Sequence, residues 1–463
     1  MAATTQVAGV VLAVLIGSRH AAGASGVEQL DLPACIERAR VAAPEITTAK
    51  ARLAVREGEL QRAKAGRFVP EAGVTSTLFP VRGAEGKVDS DQPSEHVRRT
   101  GEVGYGTRVL LGFTQPIWTA GKITAGINAA TAGVAAQVAA QERTTAEVVE
   151  QTKTLYYNIL LARAVEHVLA DTNDAFRTAI SKAQERRDEG EAKVTELDIL
   201  NLRVASAEAA KEMPHLRGSG RGALEALRRL MGHGPDDPVD LKDGRLEPEH
   251  VELLPLERYE AALFEKNPQW REVTSGVTAK EEEVKRAQAE YYPQVFLRGG
   301  FDYGYAPGRE RQTNPFVYDE FNYLRGPGGA LGVGWKLSFH MTAAEVATKK
   351  AELLTVESER TSARTGLPVQ LRNTYRKAVE TREQLELLDD GRKAGRAILT
   401  FTVANFDLAV GEPADVIQSL GLYGRVATDY LEAVRNYNLA LAALSRIMGD
   451  TTASPSPLPD AAK

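Results

Sequence analysis

The sequence predicts a mixed α and β fold. Four strands per chain would contribute to a transmembrane β-barrel shared between copies, continuous with a barrel of long helices, and the chain would be built from two internal repeats. Three observations predict this. The two halves read in the same order: helix, strand, polar loop, strand, long helix, turn, long helix. Four segments alternate apolar residues with small or polar ones, the period of a strand with two unlike faces. The stretch from Lys122 to Arg187 contains no proline, and a helix of about 65 residues there would be roughly 100 Å long at 1.5 Å per residue.

The elements follow in order. Residues 1–26 read as an export signal: Val7 to Ile16 is an apolar core too short to span as a helix, and Ala22-Gly23-Ala24 is a small-x-small cleavage candidate, although no Lys or Arg precedes the apolar run. The first repeat, 27–231, holds a strand pair at 68–80 and 103–115 and a long helical hairpin with its tip near 188–195. Residues 232–254, rich in Pro, Gly and Asp, read as a linker. The second repeat, 255–449, holds strands at 294–305 and 330–340 and a hairpin with its tip near 410–415. Residues 450–463 have the composition of a disordered end. In the last helix Val416, Leu420, Tyr423, Val426, Tyr430, Val434, Tyr437, Leu441, Leu444 and Ile447 recur at steps of three or four, the seam of a left-handed coiled coil.

The strands carry the functional signal. Leu331, Val333, Trp335, Leu337 and Phe339 fall on one face, with Gly332, Gly334, Lys336 and Ser338 on the other. Val109 and Leu111 oppose Arg108 and Gly112, and Leu297 and Phe301 oppose Arg298 and Asp302. A half-buried soluble sheet gives the same alternation. The strand lengths and the long polar loops 81–102 and 306–329 favour a membrane barrel. Four strands cannot close one, because the smallest bacterial barrels have eight. Several chains must then share it; two, three or four copies would all close. The expected lipid-facing residues are Val109, Leu111, Leu331, Val333, Trp335 and Leu337; the expected lumen residues are Arg108, Arg298, Asp302 and Lys336.

Composition excludes other classes. Net charge is -5, so there is no basic field for nucleic acid. Cys35 is the one cysteine, which rules out an internal disulfide. It follows Leu32-Pro33-Ala34, a faint lipidation box, but lies inside a helical pattern and is expected to be a small buried residue. The seven histidines include no i, i+4 pair, and His340 beside Met341 is expected to be strand-end packing, not a metal site. No nucleophile elbow or P-loop occurs; no enzyme activity and no cofactor are expected. No segment offers roughly 18 consecutive apolar residues, so no transmembrane helix is expected.

Gln115-Pro116-Ile117-Trp118-Thr119-Ala120-Gly121-Lys122, ending a strand and opening a long helix, resembles the strand-to-helix junction of the TolC-like outer-membrane efflux proteins. Trp335 to Thr342 holds the same place in the second half, with His340 where the family has proline. Asp188 to Leu200 and Val410 to Ile417 resemble the family's glycine turn and Asp-containing helix start. The resemblance implies a homotrimer with a twelve-stranded barrel in the cell outer membrane and a helical part in the periplasm. The chain would be the exit channel of a tripartite efflux or type I secretion system. It would meet a periplasmic adaptor protein, an inner-membrane pump and outer-membrane lipid. The alternative is a periplasmic coiled-coil spacer that does not span the membrane.

Under the resemblance, Gly190, Glu191, Thr195, Asp198, Gly411, Glu412 and Pro413 form adaptor-facing tips. Gly190 and Gly411 are expected to supply the permissive φ of the reversals. Thr195 and Asp415 are expected as caps or first-turn residues. Asp415 matches the first acidic gate position of the family, and Gln418 stands at the second, so the constriction is expected to carry one acidic ring.

Overall fold

The structure is a computed structural model that describes residues 27–68, 71–88, 97–190, 194–234 and 236–452. The expected export signal, the centre of the first polar loop, Glu191 and all but the start of the expected tail lie outside the described residues. The chain runs β1 (Glu28–Leu30), α1 (Leu32–Ala42), α2 (Pro44–Phe68), β2 (Glu71–Glu85), β3 (Arg98–Trp118), α3 (Lys122–Asp188), α4 (Glu196–Ala210) and α5 (Met213–Leu230). It continues with β4 (Val239–Leu241), α6 (Leu256–Lys266), α7 (Pro268–Gln288), a 3-10 turn (Ala289–Tyr291), β5 (Gln294–Tyr305), β6 (Tyr323–Gly334), α8 (Phe339–Asp407) and α9 (Pro413–Ile447).

Local chemistry sets several boundaries. Asp31 caps α1 by accepting from the Ala34 N–H at 3.0 Å. Asn267 caps α7 by accepting from Trp270 at 2.8 Å, and its amide donates to the Ile447 carbonyl at the end of α9. The α3 helix has 67 residues and α8 has 69, each about 100 Å long. An 18-residue window within α3 reaches a mean hydropathy of 1.3 with 11% of it buried. By length and composition alone α3 therefore holds a window apolar enough to cross a membrane, which a search for uninterrupted apolar runs does not reveal. The α3 segment from Ile123 to Ala140 shows why run length misses this: its hydropathy comes from Ala with scattered Ile and Val, broken by Asn128 and Gln137.

The helices pack in a row. Neighbours along α2, α3, α7, α8 touch in that order, while α4, α5 and α9 pack against α3, and α9 also against α8. The main sheet has the order β2-β3-β5-β6 and is antiparallel throughout. Among the described residues no helix is laid across either face of it.

The strands differ from expectation. β2 and β3 run to 15 and 21 residues because their ladder continues through Val81–Gly104 and on to Glu85–Arg98, which polar composition had marked as loop. β6 is Tyr323–Gly334, not 330–340. It stops at Gly334 because that residue pairs with Gln294, where β5 begins, and no strand lies beyond to bond to. Trp335, Lys336 and Leu337 are therefore outside the strand.

The 232–254 segment is packed, not a free linker. β4 pairs in parallel with β1. Asn438 donates to the Glu247 carbonyl and accepts from the Glu249 N–H, both at 2.9 Å. Tyr156 donates to Asp243 and Tyr157 to Glu249. Burial pushes the Glu249 carboxyl up and the neighbouring Lys153 ammonium down from their ordinary values. Cys35 is fully buried in the same core, and burial pushes its thiol up to about 12. In α9 the expected seam is buried at Val416 and Leu420 and again from Val434 to Ile447; between them Gly424 and Ala427 take the inward positions instead of Tyr423, Val426 and Tyr430.

Tyr157→Phe removes a donor from a carboxylate that water reaches poorly. It is expected to destabilise the protein by about 1–3 kcal/mol, the cost of an unmet buried polar group, measurable by thermal unfolding in detergent.

Candidate functional site

Register sorts the sheet residues onto two faces. Val109 pairs with Tyr303, Leu111 with Phe301, Leu297 with Leu331 and Val295 with Val333, so these side chains share one face with Val74 of β2. That face is apolar and open: Leu331 is 71% exposed and Val333 68%. The opposite face carries Arg108, Arg298 and Asp302. Arg108 donates twice to Asp302, at 3.0 and 2.6 Å, and Arg298 lies over the Phe296 ring, 4.9 Å from its centroid. Gly73, Gly112, Gly300 and Gly328 stand side by side across all four strands between these groups.

Lys336, expected in the lumen set, stands at the second strand-to-helix junction. It lies past the end of β6 and pairs with Glu290 at 3.0 Å. Lys122, at the start of α3, pairs with the same carboxylate. Trp335 and Leu337 leave the expected lipid-facing strand for the same reason; the Trp335 indole donates to the Tyr291 carbonyl at 3.0 Å. The first junction turns sharply at Ala120 and Gly121, with φ of 51° and 84°; the second has no positive φ.

At the first tip Gly190 takes φ 83°, as expected. Thr195 and Asp198 then form a reciprocal capping box: the Asp198 N–H donates to the Thr195 hydroxyl at 3.3 Å, and the Thr195 N–H to the Asp198 carboxylate at 2.9 Å. At the second tip the left-handed residue is Ala409 (φ 61°), not Gly411. Gly411 is needed for close approach instead, since a Cβ there would stand 3.0 Å from the Phe406 backbone nitrogen. Glu412 takes the cap position without a side-chain bond, and Pro413 opens α9. Asp415 is in the first turn, where the helix dipole favours a carboxylate. Gln418, one turn on, shares its exposed face.

The two tips share one core. Phe176, Val194, Ile199, Leu202, Phe406, Val416 and Leu420 pack together. Arg186 lies 5.0 Å from the Phe406 ring centroid, and Lys182 pairs with Asp407. Sequence reasoning missed these links, because 225 positions separate Lys182 from Asp407 and nothing local marks the pair.

Residues 35–233 match the family model for outer membrane efflux protein. Structures similar to the whole fold include the outer-membrane channel OprN (TM-score 0.72, 17% identity, covering 90% of this chain and 89% of that one). VceC from Vibrio cholerae follows at TM-score 0.71 and 17% identity, covering 90% and 96%. The CmeC outer membrane channel of Campylobacter jejuni gives 0.71 and 14%, covering 91% and 86%. The resemblance to the TolC-like outer-membrane efflux proteins is thereby shown. No curated protein matches by sequence, and at these identities the structural likeness to the efflux channels speaks for the fold alone.

The capping box makes the first tip pH-sensitive. Hydrogen bonds from the Thr195 hydroxyl, and then its N–H, hold the Asp198 carboxyl below its usual range. A lowered folded pKa stabilises above the unfolded value and loses that contribution as pH falls through the folded one. The protection factors of the first-turn amides of α4, after correction for the intrinsic pH dependence of exchange, are expected to fall in acid, and Asp198→Asn to flatten that fall.

Proposed function

We propose that the chain is one subunit of a homotrimeric outer-membrane exit channel, serving a tripartite efflux or type I secretion system. One observation carries this reading. Among the described residues the sheet ends in two edges, β2 and β6, that pair with no further strand, and no element covers its apolar face. Directions alternate along β2-β3-β5-β6, so β6 of one copy meets β2 of the next antiparallel, and the ring closes without a mismatch. The helix row has the same open ends, α2 and α8. Exposed apolar residues there and at the tips, among them Leu197, Leu200 and Val204 on α4, Leu387 and Phe401 on α8 and Leu408 just past its end, recur near coiled-coil spacing and call for neighbours.

In this reading the apolar face meets outer-membrane lipid, and Arg108, Arg298 and Asp302 line the lumen. The helices extend the tube into the periplasm, where Gly190, Glu191, Thr195, Asp198, Gly411, Glu412 and Pro413 meet an adaptor protein that links to an inner-membrane pump. Conduction is passive, and no residue needs to do covalent chemistry. Asp415 from each copy forms an acidic ring at the entrance, with Gln418 beside it. Such a ring concentrates cations and repels anions. The periplasmic spacer needs the apolar sheet face covered, and among the described residues no element covers it.

Surface labelling tests the reading. In a Cys35→Ser background, Phe316→Cys is expected to react with a membrane-impermeant maleimide in intact cells, and Glu412→Cys only after the outer membrane is broken. Protection of Phe316→Cys in intact cells would put the spacer first. Asp415→Ala is expected to weaken cation preference in single-channel records; unchanged records would remove the gate assignment.

A further inference from the structure

The connection 306–322 between β5 and β6 does not stand up from the sheet. Register sets Tyr323 opposite Gly304 and Arg325 opposite Asp302, so both side chains start on the polar face. The Tyr323 ring covers Gly304, where an added Cβ would come within 2.6 Å of it. Its hydroxyl donates to Asp302 at 3.1 Å, beside the Arg108 pair. The Arg325 guanidinium is held between two rings, 3.9 Å from the Tyr318 centroid and 4.0 Å from that of Tyr323. It also donates to the Asp319 carbonyl at 2.9 Å and to the Tyr318 hydroxyl. The stack Gly304, Tyr323, Arg325, Tyr318 thus rises from the polar side and draws the connection over it.

The segment is braced as a unit. The Asp319 carboxylate accepts from the N–H groups of Gln312, Phe321 and Asn322, at 2.8, 2.9 and 2.9 Å. Asn322 accepts from the Ala306 N–H at 2.8 Å and donates to the Arg309 carbonyl at 2.7 Å. The segment is also sewn to the first repeat: the Ala84 N–H donates to the Gly308 carbonyl at 2.9 Å, and the Arg309 side chain to the Arg82 carbonyl at 2.7 Å. Phe316 is left 92% exposed.

We propose that 306–322 is an outer lid on the barrel mouth and that Arg325 is its latch. The proposal rests on reading the polar face as the lumen. The stack joins the strand ladder, through Gly304, Tyr323 and Arg325, to Tyr318 of the lid, so removing the cation frees the lid's returning limb from the ladder while the Asp319 brace keeps the lid's own shape. In a ring of copies the lids converge over the lumen and slow the passage of bulky solutes from outside.

The test uses full-length protein in intact cells, in the Cys35→Ser background, with a bulky impermeant maleimide. Thr114→Cys lies on the polar face beneath the lid, paired with Arg298. It is expected to label slowly, and about ten-fold faster when Arg325→Ala is added, the shift that losing a two-sided cation–π contact can produce. Phe316→Cys is expected to label fast with or without that change. Equal Thr114→Cys rates with and without Arg325→Ala, while Phe316→Cys labels in intact cells, would overturn the lid and leave the channel standing. Silence of Phe316→Cys in intact cells would overturn the channel reading itself. If Arg325→Ala fails to reach the membrane, Tyr318→Ala replaces it, because that residue lies outside the strand ladder, and the same comparison of rates decides.

Discussion

The rest of the structure depends on the unpaired backbone of two edge strands. Among the described residues, β2 and β6 each present N–H and C=O groups that no further strand satisfies by continuing the sheet. In water such edges invite aggregation; in hydrocarbon each unmet group costs several kcal/mol. Among the described residues no helix lies over its apolar face, so the described elements do not bury it. The proposed ring of copies would meet both demands at once, with the helix row continuing it through its own two ends. The proposed assembly follows from what one chain leaves unfinished.

The two repeats are alike in order but not in detail, and the differences fall at the turns. The first junction bends through two left-handed residues, Ala120 and Gly121, while the second has none. Glu290 compensates by holding Lys122 and Lys336 together, so one largely buried carboxylate fixes both places where a strand becomes a long helix. At the tips the first reversal relies on Gly190 and a capping box. The second uses Ala409 and the close approach of Gly411, and the shared apolar core beneath holds both.

Helices of this length need lateral support, because a rod gains stability mainly from its packed face. The 232–254 segment supplies it at mid-length. Its carboxylates take hydroxyl donors from Tyr156 and Tyr157 of α3, and its backbone bonds to Asn438 of α9. Pro, Gly and Asp had suggested a linker; around the short strand β4 those residues let the chain wrap while side chains from the helices satisfy it.

The sequence by itself determined the repeated order of elements, the long proline-free helix, the alternation that sorts Leu331 and Val333 from Arg298 and Asp302, and Thr195 as a helix cap. These are local: period, propensity and a three-residue spacing are written in neighbouring letters. Only the tertiary structure decided where the ladders stop, that Lys336 pairs with Glu290, that Ala409 takes the left-handed turn, and that Lys182 meets Asp407. Strand ends are set by the length of the partner strand, and ion pairs by which distant segments the fold brings together. Polar composition made 81–85 and 98–102 look like loop, yet a two-stranded ladder tolerates polar residues on both faces as long as its backbone groups are paired.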